Sequence, residues 1–145
     1  MFVRKAHAPQ AAPPPSPGTC LPPFVLEYVP EQRVAIARFS GTFETAAAWQ
    51  AIATIKAAVA AHPIEGVLVD VRASDYTPTV EEVTGFCAEF VGFLGRRRLA
   101  VLTRLIVQYG LARVLVQQAQ ARDIDAQAFV DEREAHEWLH RPDSR

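Results

Sequence analysis

The most chemically suggestive residues stand near the end of the chain, in His136-Glu137-Trp138-Leu139-His140. Two histidines one helical turn apart, with a glutamate beside the first, are the spacing at which imidazoles hold zinc and a carboxylate activates water. Zinc asks for a third protein ligand, and only Asp143 follows. A helix that turns Trp138 and Leu139 inward also leaves both histidines on its flank and Glu137 in solvent. No metal site is predicted here. A second set, Asp70, Arg72, Ser74, Arg104, Tyr109 and Asp131, is expected near the carboxyl ends of strands. It is predicted to form a polar pocket, with the amides of a helix opening at Leu105 offering an anion site. No histidine, cysteine or glycine-rich phosphate loop falls at that edge, so no nucleophile meets a base. The chain reads as a non-enzyme without a cofactor.

Two further motifs have structural explanations. Thr79-Val80-Glu81-Glu82 is a capping box, in which the threonine caps a helix and Glu82 reaches back. Ser74, Thr77 and Thr79 are also candidate phosphorylation sites, but Glu81 and Glu82 in that first turn would repel a phosphate. Arg96-Arg97-Arg98 reads as a solvated turn that complements a helix dipole.

These residues need a scaffold, and a chain of 145 residues is long enough for one domain. Half of the residues are hydrophobic and 21% are charged, as in a globular chain with a full core. A net charge of −1 argues against a general nucleic-acid binder, which needs a basic face. No run approaches the ~18 apolar residues of a membrane span. Two distant cysteines suit free thiols in a reducing compartment, so a cytoplasmic location is expected. Residues 1–23 hold seven of the eleven prolines and read as a disordered or extended tail before a domain at 24–141.

Within that domain, Phe24 to Tyr28 and Arg33 to Ser40 read as a hairpin around Pro30-Glu31-Gln32. An alanine-rich helix starts near Ser40-Gly41-Thr42 and reaches about Ala61, with Ala48, Ile52, Ile55 and Val59 inward; His62-Pro63 closes it. Val67 to Val71 is apolar and β-branched enough for a central parallel strand. The Ser74–Thr79 loop leads to a helix with Val80, Val83, Cys87, Phe90 and Leu94 on one face. A strand at Leu99 to Thr103 precedes a helix from about Leu105 to Ala121, with Leu105, Tyr109, Ala112, Leu115, Val116 and Ala119 as its core face. Ile124 to Val130 is the last strand. Asp131 and Glu134 form a second capping box for a helix that buries Ala135, Trp138 and Leu139. The order is ββαβαβαβα, an α/β fold with a mixed, mostly parallel five-stranded sheet and helices mainly on one face. Val34, Ile36, Val67, Val69, Val71, Leu99 and Val101 are expected on a bulky face. Ala35, Ala37, Asp70, Arg72 and Ala100 are expected on a thinly covered one.

That order resembles the SpoIIAA-like, or STAS, family of sulfate transporter and anti-sigma factor antagonist domains. The likeness is carried by Val67-Leu68-Val69-Asp70-Val71-Arg72, by Gln108-Tyr109-Gly110-Leu111-Ala112-Arg113 and by the segment from Phe129 to Leu139. These patches look like a bacterial subgroup of small stand-alone domains, sometimes grouped with CRAL-TRIO lipid-binding folds. The resemblance implies a non-enzymatic regulatory or protein-interaction module. In the antagonists a serine in an Asp-Ser-Ser-Gly-like turn accepts a phosphate. The matching turn here reads Asp75-Tyr76-Thr77-Pro78-Thr79-Val80, without the Ser-Gly.

Two functions follow as expectations. One is a protein-interaction module acting through Asp70, Arg72, Ser74, Tyr76, Thr77, Thr79, Arg104 and Tyr109. The other is a binder of an apolar small molecule or lipid on the thinly covered sheet face and in the strand-end pocket. Leftover apolar residues, Phe86 and Phe93 on one helix and Val107 and Val114 on the next, predict a two-fold homodimer.

Overall fold

Strands that alternate with helices and pair with their neighbours in the chain stack in sequence order, and that order is observed. The structure, a computed structural model, describes residues 3–5 and 23–142. The elements run β1 (Val3–Lys5), β2 (Phe24–Val29), β3 (Val34–Gly41), α1 (Thr45–Ala61), β4 (Gly66–Ser74), α2 (Val80–Leu94), β5 (Arg98–Leu102), α3 (Ile106–Gln120), β6 (Ala126–Phe129) and α4 (Glu132–His140). The strands lie side by side as β1-β2-β3-β4-β5-β6. β2 and β3 form the antiparallel hairpin, and β3 through β6 are parallel. These five strands and four helices have the ββαβαβαβα order expected from the sequence. β1 adds a short sixth strand, parallel to the edge of β2, where a row of backbone groups would otherwise lack partners. It was not anticipated within the proline-rich segment. The remainder of that segment, Cys20 and Asp143 lie outside the described residues.

The helices divide unequally. α1, α2 and α3 pack on one face with Leu26, Tyr28, Ala35, Ala37, Phe39, Val67, Leu99 and Val101. α4 alone packs on the other, with Val34, Ile36, Leu68, Ala100, Leu102 and Phe129. The faces of β3 are therefore the reverse of the expectation. Register places Ala35 beside Val67 and Ala37 beside Val69. Small side chains at these two positions let α1 approach the sheet, while Val34 and Ile36 fill the opposite side. Bulk alone did not reveal the pairing.

The inward residues of α1 are as expected, with Ala48, Ile52, Ile55 and Val59 buried. The helix itself begins later, after Glu44, because β3 continues to Gly41. On α2, Val83, Cys87, Phe90 and Leu94 are buried but Val80, in the first turn, is exposed. Phe86 is buried too, edge-on against Trp49 of α1 at 4.9 Å. On α3 the inward stripe is Gln108, Ala112, Val116 and Ala119; Leu105 and Tyr109 lie outside it. Ala135, Trp138 and Leu139 anchor α4 as expected. Gly66 lets α4 sit close, since a Cβ there would lie 3.0 Å from Leu139 Cδ2.

The arginine turn is less solvated than expected. Arg97 donates to the carbonyls of Ile64, Phe93 and Leu94, the last two at the end of α2. Arg98 pairs with Asp125, donates to the Trp138 carbonyl and lies over the Trp138 ring at 5.5 Å. These two side chains join helix ends to the sheet's amino edge.

Candidate functional site

Successive strand residues point to opposite faces, and the last turns of β4 carry Val69, Asp70, Val71 and Arg72. The strand ends therefore build two environments, one charged and one apolar.

On the α4 face, Asp70 is 6% exposed. Its Oδ2 accepts from Arg38 Nη1 at 2.6 Å, and its Oδ1 accepts from the Arg72 amide and Nε, each at 3.0 Å. Glu132, the first residue of α4, accepts from Arg38 Nη2 at 2.8 Å and Arg72 Nη2 at 2.7 Å. His136 Nε2 lies 3.1 Å from the same carboxylate. Burial alone would raise the pKa of Asp70, but the bonds from Arg72 and Arg38 hold it below its ordinary value. The Arg38 bond, aided by His136, brings Glu132 down to about 2. Both carboxylates stay ionised at neutral pH and every lone pair facing the cluster meets a donor. Such a group fastens α4 to β3 and β4, with its two carboxylates held in the charged form.

The His136–His140 motif belongs to this fastening. His136 faces Glu132, and His140 Nδ1 lies 2.6 Å from the His136 carbonyl, to which it donates. Among the described residues no group of three or more His, Cys, Asp or Glu is placed to hold a metal ion. Asp131 caps α4, although its side chain accepts from the Arg133 amide rather than from the Glu134 amide of the expected box.

On the three-helix face, Val69 and Val71 form the floor of an apolar cavity of about 120 Å³ under α2 and α3. Phe86 and Phe90 of α2 and Leu111 and Leu115 of α3 wall it, and the 74–78 loop and Val107 border its mouth. Cores are usually filled to crystal-like density. The polar groups at the cavity's border are committed elsewhere. Gln108 Oε1 accepts from the Arg104 and Leu105 amides, and its Nε2 donates to the Val71 and Ser74 carbonyls. That uses its full hydrogen-bonding capacity. Ser74 Oγ accepts from the Tyr76 amide. Tyr76 Oη donates to Thr45 Oγ1, which donates to Glu82 Oε2 at 2.6 Å. Burial raises the Tyr76 pKa, and the Thr45 bond draws Glu82 down. Thr79 and Glu82 complete the expected capping box, a feature worth ~1 kcal/mol.

The expected polar pocket is thus divided. Asp70 and Arg72 lie in the ionic cluster, and Arg104 Nε reaches the Arg72 carbonyl from its solvent side. Ser74, Tyr76 and Thr77 border the apolar cavity on the other face, and Thr79 is a helix cap. Tyr109 joins neither group and lies beside Arg113 on the outer side of α3. Just ahead of α3, where an anion site was expected, the chain's own Gln108 takes up the Arg104 and Leu105 amides. The apolar space also lies opposite to where it was expected. α4 and the ionic cluster occupy the thin face, and the cavity opens under three helices.

Gln108, Arg38 and Glu132 were missed. For Gln108 the signal was present, because it continues the 112–116–119 stripe by one turn. Arg38 and Glu132 are separated by 94 residues, and nothing local marks them as partners.

An open sheet of this order with three helices on one face and one on the other is a SpoIIAA-like, or STAS, fold. A crystal structure of a DUF3478-family protein with a SpoIIAA-like fold, from Shewanella loihica PV-4, is similar to it. The two are 18% identical, with a TM-score of 0.52 over 73% of this chain and 83% of that one. No family model and no curated protein matches the chain. No helix among the described residues is long and apolar enough to cross a membrane.

Proposed function

We propose that this protein is a non-enzymatic interaction module that docks a protein partner on the carboxyl edge of its sheet. The supporting observation is where its exposed apolar side chains lie. Helices that follow parallel strands begin at the strands' carboxyl ends. Val80 opens α2, Leu105, Ile106 and Val107 open α3, and Val130 precedes α4. They are 55%, 40%, 93%, 49% and 64% exposed. Scattered surface hydrophobics are ordinary, but a cluster on one edge marks an interface. The Ser74–Thr79 loop runs among them. Regulation would follow from whatever changes that loop's clasp on Thr45 and Glu82.

The homodimer face expected from α2 and α3 shrinks on this reading. Phe86 is in the core, Phe93 and Val114 are half-buried, and only Val107 is well exposed. A second copy remains one of the partners the edge accommodates. A photo-crosslinking residue at Ile106 or at Val130, in cells that make the protein, tests the proposal. Adducts are expected at both positions and not at Lys56 or Glu89, which are exposed elsewhere. An adduct of twice the chain mass identifies self-association. Equal labelling at all four positions, or none at the edge, overturns the proposal.

A further inference from the structure

We infer that the cavity under α2 and α3 is a binding site for one small, uncharged, apolar molecule, of the size of a single ring or a short branched chain. This stands independently of any partner on the edge above it. Volume sets the size. A dry cavity of ~150 Å³ lined by aliphatic and aromatic side chains holds benzene, and this one is about 120 Å³. A slight outward movement of Val107 and Leu111, at its mouth and both partly exposed, admits a ring. The acyl chain of a membrane lipid does not fit.

Chemistry sets the class. The side chains around the cavity include no Asp, Glu, Lys, Arg or His. A charged ligand would lose its hydration without gaining a counter-ion. Gln108 is fully engaged, Tyr76 Oη donates to Thr45 and Ser74 Oγ accepts from the Tyr76 amide, so few polar contacts are left for a ligand. A water held there would also find few partners, since a buried water needs two to four polar ones. Thr77, exposed at the mouth, is where a ligand's single polar tip would emerge. A ligand that fills the cavity gains dispersion contacts with its apolar walls.

The test is a titration of the full-length protein with toluene, followed by methyl NMR, with benzoate as the charged isostere and hexadecanoate as the long chain. Saturable shifts at Val69, Val71, Val101 and Leu111 with toluene, and none with benzoate, are expected. Ala112→Leu, which fills the cavity from α3, should abolish those shifts while keeping the native spectrum elsewhere. No shift with toluene, equal shifts with benzoate, or shifts with hexadecanoate alone overturn the inference. The wild-type comparison decides it if the variant does not fold. Toluene shifts that persist in a folded Ala112→Leu protein also count against it.

Discussion

The two faces of the sheet at its carboxyl edge solve the same problem in opposite ways. Both must close the space between strand ends and a covering helix. On the α4 side, two arginines and two carboxylates fill it and satisfy one another. On the α2–α3 side, aliphatic and aromatic side chains line a cavity of about 120 Å³. A saturated ionic cluster has nothing left to offer a ligand. A void lined with apolar atoms has dispersion contacts still to make. The difference assigns fastening to one face and binding to the other, although both grow from alternate residues of β4.

The largest effect that would break this contrast is expected at Phe90, which packs in the core and walls the cavity. Phe90→Ala should cost ~3–5 kcal/mol and enlarge the void, so toluene should recover part of the lost melting temperature. A melt like that of the parent protein would mean that this wall carries no packing. Asp70→Asn comes next. It leaves two guanidinium groups facing a neutral amide and should cost about 2–3 kcal/mol, less than for a pair wholly removed from water. Toluene binding should survive it. Loss of binding in a folded Asp70→Asn protein would show that the faces are coupled rather than separate.

How much of this was legible follows from the range of each signal. Element order rests on local periodicity, which the chain displays plainly in Val83, Cys87, Phe90 and Leu94. The face assignment of β3 rests on register with β4, and a run such as Val34-Ala35-Ile36-Ala37 is compatible with either side. Phe86 looked surplus because the α2 stripe was already complete; Trp49, on a different helix, buries it. Gln108 is harder to read, because a polar residue on a helix is ordinarily turned outward. The ionic cluster depended on β3, β4 and α4 converging, and only its β4 members were singled out. The cavity is a property of what three helices fail to fill, which no stretch of sequence displays.

The smallest effect concerns acid. Glu132 titrates at about 2 when folded against an ordinary 4.5, so it favours the folded state above that ordinary value. Its contribution should fade as pH falls from about 4.5 toward about 2. Glu132→Gln should therefore flatten the stability profile across that window, read by denaturant melts at successive pH values. Parallel profiles for the two proteins would assign the acid sensitivity of the α4 face to another group.

The pairing of β3 with β4 slips once: Arg38 lies opposite Asp70, but Ser40 lies opposite Ala73. Val71 and Arg72 together face Phe39, so β4 holds one residue more than its neighbour, as in a β-bulge. That extra residue resets the count of odd and even positions. Val69, Val71 and then Ser74 border the cavity, where strict alternation would have placed Ala73. Residues 71–73 thus act as a phase marker for anything spliced in after them. A loop transplanted with one residue fewer would not be a shorter loop in the same place. It would carry Ser74, and with it Tyr76 and the clasp on α1, to the side already occupied by charge.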